Sequence, residues 1–308
     1  MYRVPTIMLF QIIKLLSLIP FRVLYCFSDV LAWLAHDVVG YRRKVVTDNL
    51  RSSFPDKSDK ELRAISRKFY RFLGDYIVET IKLASMSEKT IRKRMRVENA
   101  EEINEAVRRG QSVSIYLGHY CNWEWVSSLP LHIDRCARCA QVYHPLSNKA
   151  FDRLLFRLRT RFDANNIPMA DIMQTLIGWN RAGVPSVTGY IADQVPGLNI
   201  HLFVDFLNHD TLVYTGPERI SKFLGAKAVY AHITRPRRGY YVLRFIPICE
   251  NAKKEEIFTP SREYFRLLEE NIKEAPQYWL WSHRRWKRTR EQFYQYHGDK
   301  AAEMLRRL

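Results

Sequence analysis

Hydrophobic and polar positions divide the chain into segments with helical spacing and short apolar runs that end in turns. The clearest helical segment is Ser58 to Ala84, where Ser58-x-x-Glu61 forms a capping box ahead of a stripe of apolar residues. Short apolar runs that predict strands occur at Val113–Leu117, Ser186–Ile191 and Leu202–Leu207. Strands that alternate with helices predict an α/β protein with a mixed central sheet flanked by helices.

Four further segments extend this α/β pattern. Ala150 to Arg161 is a basic amphipathic segment that predicts a helix with four apolar residues pointing inward: Phe151, Leu154, Leu155 and Leu158. Thr259, as N-cap, and Pro260, as the first helical residue, predict a helix that runs to about Glu274. Cys136–Tyr143 predicts a strand, and Ala226–Thr234 with Tyr240–Ile246 predicts a hairpin.

The first forty residues are apolar but interrupted by charges. Lys14, Arg22 and Asp29 break the run, and no stretch reaches the roughly 20 apolar residues of a spanning helix. We expect one or two membrane-embedded helices with Lys14 and Arg22 extending toward the surface. An ordinary buried N-terminal hairpin is the alternative. The predicted division is a membrane-associated helical region at 1–45 and an α/β domain at 46–308.

The charge balance points to an anionic partner. The chain carries 49 lysine and arginine residues against 32 aspartate and glutamate residues, a net charge of +17. A membrane surface, an acidic protein or a nucleic acid would suit this charge.

The five cysteines are an odd number and form no secreted disulfide pattern. A zinc site is a minor alternative, because no second ligand pair has standard spacing; its candidate ligands are His132, Cys136, Cys139 and His144.

The stretch from Ser112 to Pro130 carries the strongest candidate chemistry. A buried strand ends at Gly118, His119 follows it, and Asn122 is a suitable N-cap for a short helix that contains Glu124. On one continuous helix an offset of five residues is about 500°, which would place the two side chains about 140° apart. A strand, a turn and then a helix would instead let Glu124 contact His119. A carboxylate against an imidazole makes the histidine a better general base.

This stretch, GHYCNWEW, is similar to the His-x4-acid block of glycerolipid acyltransferases, and more narrowly to the bacterial lipid A late acyltransferases. Three more blocks resemble that family in the same order: Gln141–Pro145, Ala192–Gly197 and Pro276–Lys287. The chain departs from the family pattern at two positions. Cys121 replaces the usual glycine, and His144 replaces the usual arginine.

The resemblance implies a membrane-associated enzyme that transfers an acyl chain from a thioester to a hydroxyl of a lipid A precursor or related lipid. The implied donor is acyl-carrier protein or a coenzyme A thioester, and the implied location is the bacterial inner membrane with the site facing the cytoplasm. His119 and Glu124 are the expected catalytic residues, and no metal, cofactor or nucleic acid is expected. The expected substrate-binding residues are Asn122, Trp123, His144, Arg159, Arg161, Asp193 and Gln194.

Two other classes of function stay open at this point. A non-enzymatic binder of anionic membrane or nucleic acid would explain the positive charge and the aromatic, basic C-terminal block. It would not explain the His119–Glu124 pair or the apolar N-terminus. A metal-dependent hydrolase is the third class, which metal analysis of the purified protein would test.

Overall fold

A seven-stranded, mostly parallel sheet forms the centre of the molecule. The structure, a computed structural model, describes residues 3–308. The strand order is β1-β9-β8-β2-β5-β3-β4, and only the β8–β9 pairing is antiparallel. A separate antiparallel pair, β6–β7, packs beside it. The strands are β1 Met95–Glu98, β2 Val113–Leu117, β3 Arg138–Tyr143, β4 Asn165–Pro168, β5 Ser186–Ile191, β6 Leu202–Phe206, β7 His209–Val213, β8 Lys227–Arg237 and β9 Tyr240–Cys249.

Helices surround this sheet, so the predicted α/β class with a mixed sheet and flanking helices is confirmed. Short 3-10 turns occur at Ala252–Lys254, Pro276–Tyr278 and Gly298–Lys300, with a longer 3-10 helix at Trp123–His132. The α-helices are α1 Arg3–Leu18, α2 Phe21–Trp33, α3 Arg43–Ser53, α4 Asp59–Lys82, α5 Glu88–Arg94, α6 Ala100–Arg108, α7 Lys149–Arg159, α8 Ile172–Arg181, α9 Gly216–Leu224, α10 Thr259–Glu274, α11 Arg290–His297 and α12 Ala301–Met304.

Strand β2 lies at the middle of the sheet, between β8 and β5. All five of its residues are buried, as expected for a strand covered on both faces, and this is why its sequence reads as a continuous apolar run. The central position fixes the backbone that leads into Gly118 and His119. The main hydrophobic core includes Ile115 and Leu117 of this strand.

The N-terminal helices pack on α4 and on the β8–β9 hairpin. Arg238 of the hairpin turn binds Asp29 of α2 and Asp75 of α4, and Tyr25 of α2 donates a hydrogen bond of 2.9 Å to the buried Glu79. In residues 3–308 no single helix is long and apolar enough to cross a membrane. By length and composition, one bent pair could: Met8–Leu18 with Phe21–Val38, at an angle of 113°.

Three local expectations need correction. Phe258, with a φ of 72°, occupies the N-cap of α10, and Thr259 is already its first helical residue. Phe151 was expected to point inward, but it is 51% exposed; Leu154 and Leu158 are the buried residues of α7, and Leu155 is partly buried against the core. The segment after Asn122, expected to be a short helix, is a ten-residue 3-10 helix that runs through Pro130 to His132.

Candidate active site

Two neighbouring parallel strands bring the candidate residues together. Leu117 at the end of β2 lies opposite Ile191 at the end of β5 in the register of the sheet. His119 and Asp193 each follow two residues later, so they emerge side by side at the carboxyl edge. Open α/β sheets bind their ligands outside this edge.

The His119 imidazole rests on a buried carboxylate. Its Nδ1 lies 2.6 Å from Oδ1 of Asp193, and the backbone N–H of His119 donates to Oδ2 at 2.8 Å. The indole N–H of Trp279 donates to the same Oδ2 at 2.8 Å. Burial opposes ionisation of Asp193, but the charge of His119 and these hydrogen bonds outweigh it and hold the pKa of Asp193 below its usual range. Asp193 is therefore an ionised acceptor at neutral pH.

An ionised Asp193 determines which nitrogen of His119 carries the proton. A carboxylate can only accept, so Nδ1 of His119 must be the donor and Nε2 of the neutral ring must hold the lone pair. The amide nitrogen of Gln194 lies 3.2 Å from Nε2, which suits an N–H that donates to that lone pair. The His119 side chain is 18% exposed, so part of it is accessible from outside. This arrangement presents Nε2 as a proton acceptor.

Gly118 allows the two strand ends to approach closely. A Cβ atom at this position would lie 2.7 Å from Cδ1 of Leu268 and 3.2 Å from Oδ2 of Asp193. The hydroxyl of Tyr264, on the same helix α10, donates to the carbonyl of Leu117 at 2.9 Å. Helix α10 thus presses directly against the turn that carries His119.

Glu124 binds Arg159, and the predicted direct contact with His119 is wrong for this structure. Both Glu124 carboxylate oxygens accept from the Arg159 guanidinium, at 2.8 and 2.6 Å, and Tyr76 donates a third bond at 3.2 Å. The 3-10 helix directs Glu124 toward α4 and α7, while the strand register places Asp193 under the imidazole. Burial opposes ionisation of Glu124, but Arg159 outweighs it and holds the Glu124 pKa below its usual range. The His119 charge lowers that pKa further, so the two groups are close without being bonded.

The other predicted substrate-binding residues differ from one another in their burial and in whether they contact His119. Asn122 is fully buried, and its amide donates to Glu79 at 2.7 Å while its oxygen accepts from Trp125 N–H. Trp123 contacts the His119 ring edge-on, at 5.1 Å between centroids. Arg161 is exposed and donates to the Leu83 carbonyl, and His144 is exposed beyond the end of β3. Only Trp123, Asp193 and Gln194 of the predicted set touch His119.

Two site residues were not singled out from the sequence. Trp279 binds Asp193, and Nε2 of His283 accepts the Val195 N–H at 3.3 Å, which fixes the turn after Asp193 and Gln194. Burial lowers the pKa of His283 to about 4, consistent with a neutral ring that accepts. Both residues lie in the C-terminal block Pro276–Lys287, whose similarity to the family was the available signal.

Cys121 has a backbone conformation that favours glycine. Its φ is 52°, in the left-handed region, which accounts physically for the glycine that the related motif carries there. The side chain is fully buried, and burial raises the thiol pKa well above its usual value. A protonated, inaccessible thiol is a poor nucleophile.

The zinc hypothesis finds no matching cluster. Across the part of the chain that the structure describes, no three His, Cys, Asp or Glu side chains are placed to hold one metal ion. Cys136 is exposed and Cys139 is buried in β3.

The fold and the site together define an α/β protein with a histidine–carboxylate pair at the carboxyl edge of its sheet, suited to proton transfer. Residues 3–288 match the family model of bacterial lipid A biosynthesis acyltransferases. The chain is 23% identical to the lipid A biosynthesis palmitoleoyltransferase of Escherichia coli K12 over 273 residues, covering 87% of this chain and 86% of the relative. It is 23% identical to the Escherichia coli K12 lipid A biosynthesis lauroyltransferase over 272 residues, covering 87% of each.

The lipid A biosynthesis acyltransferase of Shigella flexneri is also 23% identical, over 273 residues, 87% of this chain and 86% of the relative. Because the family model spans nearly the whole chain, this protein belongs to the bacterial lipid A biosynthesis acyltransferase family. The predicted family resemblance is thus confirmed, and with it an enzyme class that transfers acyl groups.

Proposed function

We propose that this protein transfers a fatty acyl chain from a thioester donor to a hydroxyl of a lipid A precursor or a related lipid, with His119 as the general base. The observation that carries the proposal is the contact of 2.6 Å between Nδ1 of His119 and the buried Asp193. It leaves Nε2 as the proton acceptor of a side chain that is 18% exposed. Family membership supplies the reaction class.

The proposed step proceeds without a covalent acyl-enzyme. Nε2 of His119 removes the proton from the acceptor hydroxyl as its oxygen attacks the thioester carbonyl carbon. The carbon–sulfur bond of the resulting tetrahedral intermediate then breaks, and the imidazolium returns the proton to the departing thiolate. The products are an ester and a free thiol, and the reaction uses no cofactor. Asp193 holds the ring and stabilises its positive charge between the two transfers.

Glu124 and Arg159 have a supporting role in this scheme. Glu124 is 3% exposed and fixes the Arg159 guanidinium with two charge-assisted hydrogen bonds, while its own charge stays near His119. The Arg159 side chain is 20% exposed. That exposure suits a cation held ready for the oxyanion that forms on the thioester oxygen.

The donor and the membrane location are also proposals. Acyl-carrier protein is the proposed donor, with a coenzyme A thioester as the alternative, and the proposed location is the cytoplasmic face of the bacterial inner membrane. Large apolar side chains of α1 and α2 support membrane contact because they are exposed, including Leu15 at 66%, Phe27 at 54% and Val30 at 53%. Exposed apolar patches of this kind mark membrane or protein interaction surfaces.

Membrane contact can be tested without removing the helices. Deleting residues 1–40 would also remove Tyr25 and Asp29 from their buried partners, so it would confound anchoring with folding. Replacing Leu15, Phe27 and Val30 together with Gln should move the folded protein out of the membrane fraction. Release of the unaltered protein by high salt alone would show that the attachment is electrostatic.

The enzymatic proposal is tested by incubating the purified protein with acyl-carrier-protein and coenzyme A thioesters and extracted lipids, with products read by mass spectrometry. His119→Ala should abolish transfer, since loss of a general base costs about 10²–10⁴-fold. It also leaves the buried Asp193 without its imidazole partner, so some loss of thermal stability is expected, and a native far-ultraviolet circular dichroism spectrum is the control for folding. A folded His119→Ala protein with full activity would overturn the assignment. Incubation with donor alone should leave no acyl group on the protein; an acylated Cys121 would replace the direct mechanism with a covalent one.

A further inference from the structure

A cleft of about 640 Å³ lies between α1 and α7, outside the contacts of His119 and Asp193. Its floor is the segment after α4, at Ala84 and Ser85. The walls combine apolar side chains with cations. The lining residues are Phe10, Lys14, Leu18, Ala84, Ser85, Arg157, Leu158 and Arg161.

Helix α1 and the segment after α7, on the two sides of this cleft, both form hydrogen bonds with residues 82–85. Lys82 donates to the carbonyls of Ser17 and Ile19 at the end of α1, at 2.6 and 2.9 Å, and Ser85 donates to the Ser17 carbonyl at 2.7 Å. Arg161, just beyond α7, donates to the Leu83 carbonyl. The cleft is therefore a formed feature of the fold.

The charge of the cleft is uncompensated. Lys14, Arg157 and Arg161 are its only charged lining residues, and none of them has a carboxylate within ion-pair distance in residues 3–308. The Arg157 guanidinium instead lies 5.0 Å from the centre of the Phe10 ring. Three cations around one volume favour a ligand with several anionic oxygens, and arginine binds such groups with paired hydrogen bonds.

The apolar part of the lining restricts the ligand further. Phe10, Leu18 and Leu158 form hydrocarbon surface beside the cations, and α1 is the helix that presents Leu15 and other exposed apolar residues. A ligand that satisfies both surfaces carries a phosphate and an acyl chain. Arg157 and Arg161 flank Arg159, whose guanidinium holds Glu124, so the same end of α7 serves the cleft and the active site.

We propose that this cleft binds the phosphate of a phosphorylated lipid acceptor and so places its hydroxyl toward His119. The inference rests on the proposed function, which supplies a lipid acceptor, and it assigns a binding site for an anionic group of that lipid. It also separates the roles of three arginines at the end of α7 and just beyond it: Arg157 and Arg161 contact the substrate phosphate, and Arg159 belongs to the Glu124 pair.

The test measures lipid binding in detergent micelles without any thioester donor, so its outcome does not depend on whether transfer occurs. The probes are a diacylated sugar phosphate and the same diacylated sugar without phosphate. Lys14→Gln and Arg157→Gln should each weaken binding of the phosphorylated probe about tenfold, the low end for a charge-assisted hydrogen bond. Binding of the phosphate-free probe should be weaker and equal in all proteins.

Arg67→Gln is the matched control, because Arg67 is an exposed cation on α4 outside the cleft. It should bind both probes as the unaltered protein does. Sedimentation with vesicles that contain anionic phospholipid provides the second readout, in which the cleft variants should match Arg67→Gln. Equal affinity of the cleft variants and the control for the phosphorylated probe would overturn the proposal. Equal loss with both probes, or a matching loss of vesicle binding, would assign the cations to packing or to the bilayer surface instead.

Discussion

Two buried carboxylates stand close to the same histidine, and their partners differ. Asp193 is 2% exposed and binds His119, whereas Glu124 is 3% exposed and binds Arg159. Both have pKa values below the usual range. An imidazole can accept a proton and return it within a reaction cycle, whereas a guanidinium stays protonated. The comparison indicates that Asp193 serves proton transfer and that Glu124 serves the placement of a fixed positive charge.

The largest expected effect comes from neutralising the carboxylate under the imidazole. Asp193→Asn should lower the turnover number by about 10²–10⁴-fold, because an amide can neither fix the ring in the same tautomer nor stabilise imidazolium. The measurement is steady-state acyl transfer at saturating donor and acceptor. Thermal unfolding serves as the control, since Trp279 and the His119 N–H also donate to this carboxylate. A folded Asp193→Asn protein with near-normal turnover would place the base elsewhere.

A smaller effect is expected where the turn packs against α10. Gly118→Ala should lower stability by about 1–3 kcal/mol, the usual cost of overpacking a core, and should lower activity by displacing Asp193. The added Cβ would meet Leu268 first, at 2.7 Å. Combining it with Leu268→Val should recover part of both losses, measured by chemical denaturation and transfer rate. If the single variant loses neither property, the close approach does not constrain the site.

The smallest expected effect is a change in how the free energy of unfolding depends on pH. It comes from His283, which accepts a hydrogen bond from the turn after Gln194. His283 has a pKa of about 4 in the folded protein against 6.5 for a free side chain. The unfolded chain therefore binds more protons between these values, so His283 makes the free energy of unfolding fall as pH drops from about 6.5 toward 4. His283→Gln should flatten this slope in denaturation curves. The exposed His144→Gln should leave the slope unchanged; identical slopes for both variants would contradict this account.

The sequence predicted the parts of this site better than their arrangement. Two apolar runs predicted strands with polar residues just after them: Val113–Leu117 and the run that ends at Ile191. Both strands are present with these bounds in the structure. Their adjacency could not be read from the sequence, because β3 and β4 separate the two strands along the chain while pairing places them side by side. The contact between His119 and Asp193 is a consequence of that pairing.

The predicted contact between Glu124 and His119 is absent because the chain around Glu124 packs differently from what its spacing predicted. A capped helical turn after Asn122 was expected to return the carboxylate to His119, and Asn122 does cap that turn. The turn is a 3-10 helix, so Glu124 meets Tyr76 and Arg159, which lie 48 and 35 residues away in sequence. The partner of a side chain depends on tertiary packing that spacing alone does not describe.

The N-terminal region shows the same limit. The apolar pattern with interruptions predicted helices, and α1 and α2 are present. The partly buried contacts of Tyr25 with Glu79 and of Asp29 with Arg238 involve residues more than fifty positions away, which no local pattern reveals. The predicted boundary between 1–45 and 46–308 stays a prediction.

The most direct test of the account is the transfer rate of Glu124→Gln, Arg159→Gln and the double variant. Glu124→Gln leaves the Arg159 charge uncompensated, a change that costs up to about 3–5 kcal/mol when such a pair is fully buried. The double variant removes both charges and lets two amides pair. We predict that it recovers stability but not activity, and that its turnover matches that of Arg159→Gln, because the cation placed for the oxyanion is absent from both proteins and coupled partners are non-additive. A folded Arg159→Gln protein with normal turnover beside an inactive Glu124→Gln protein would contradict the account and return Glu124 to direct catalysis.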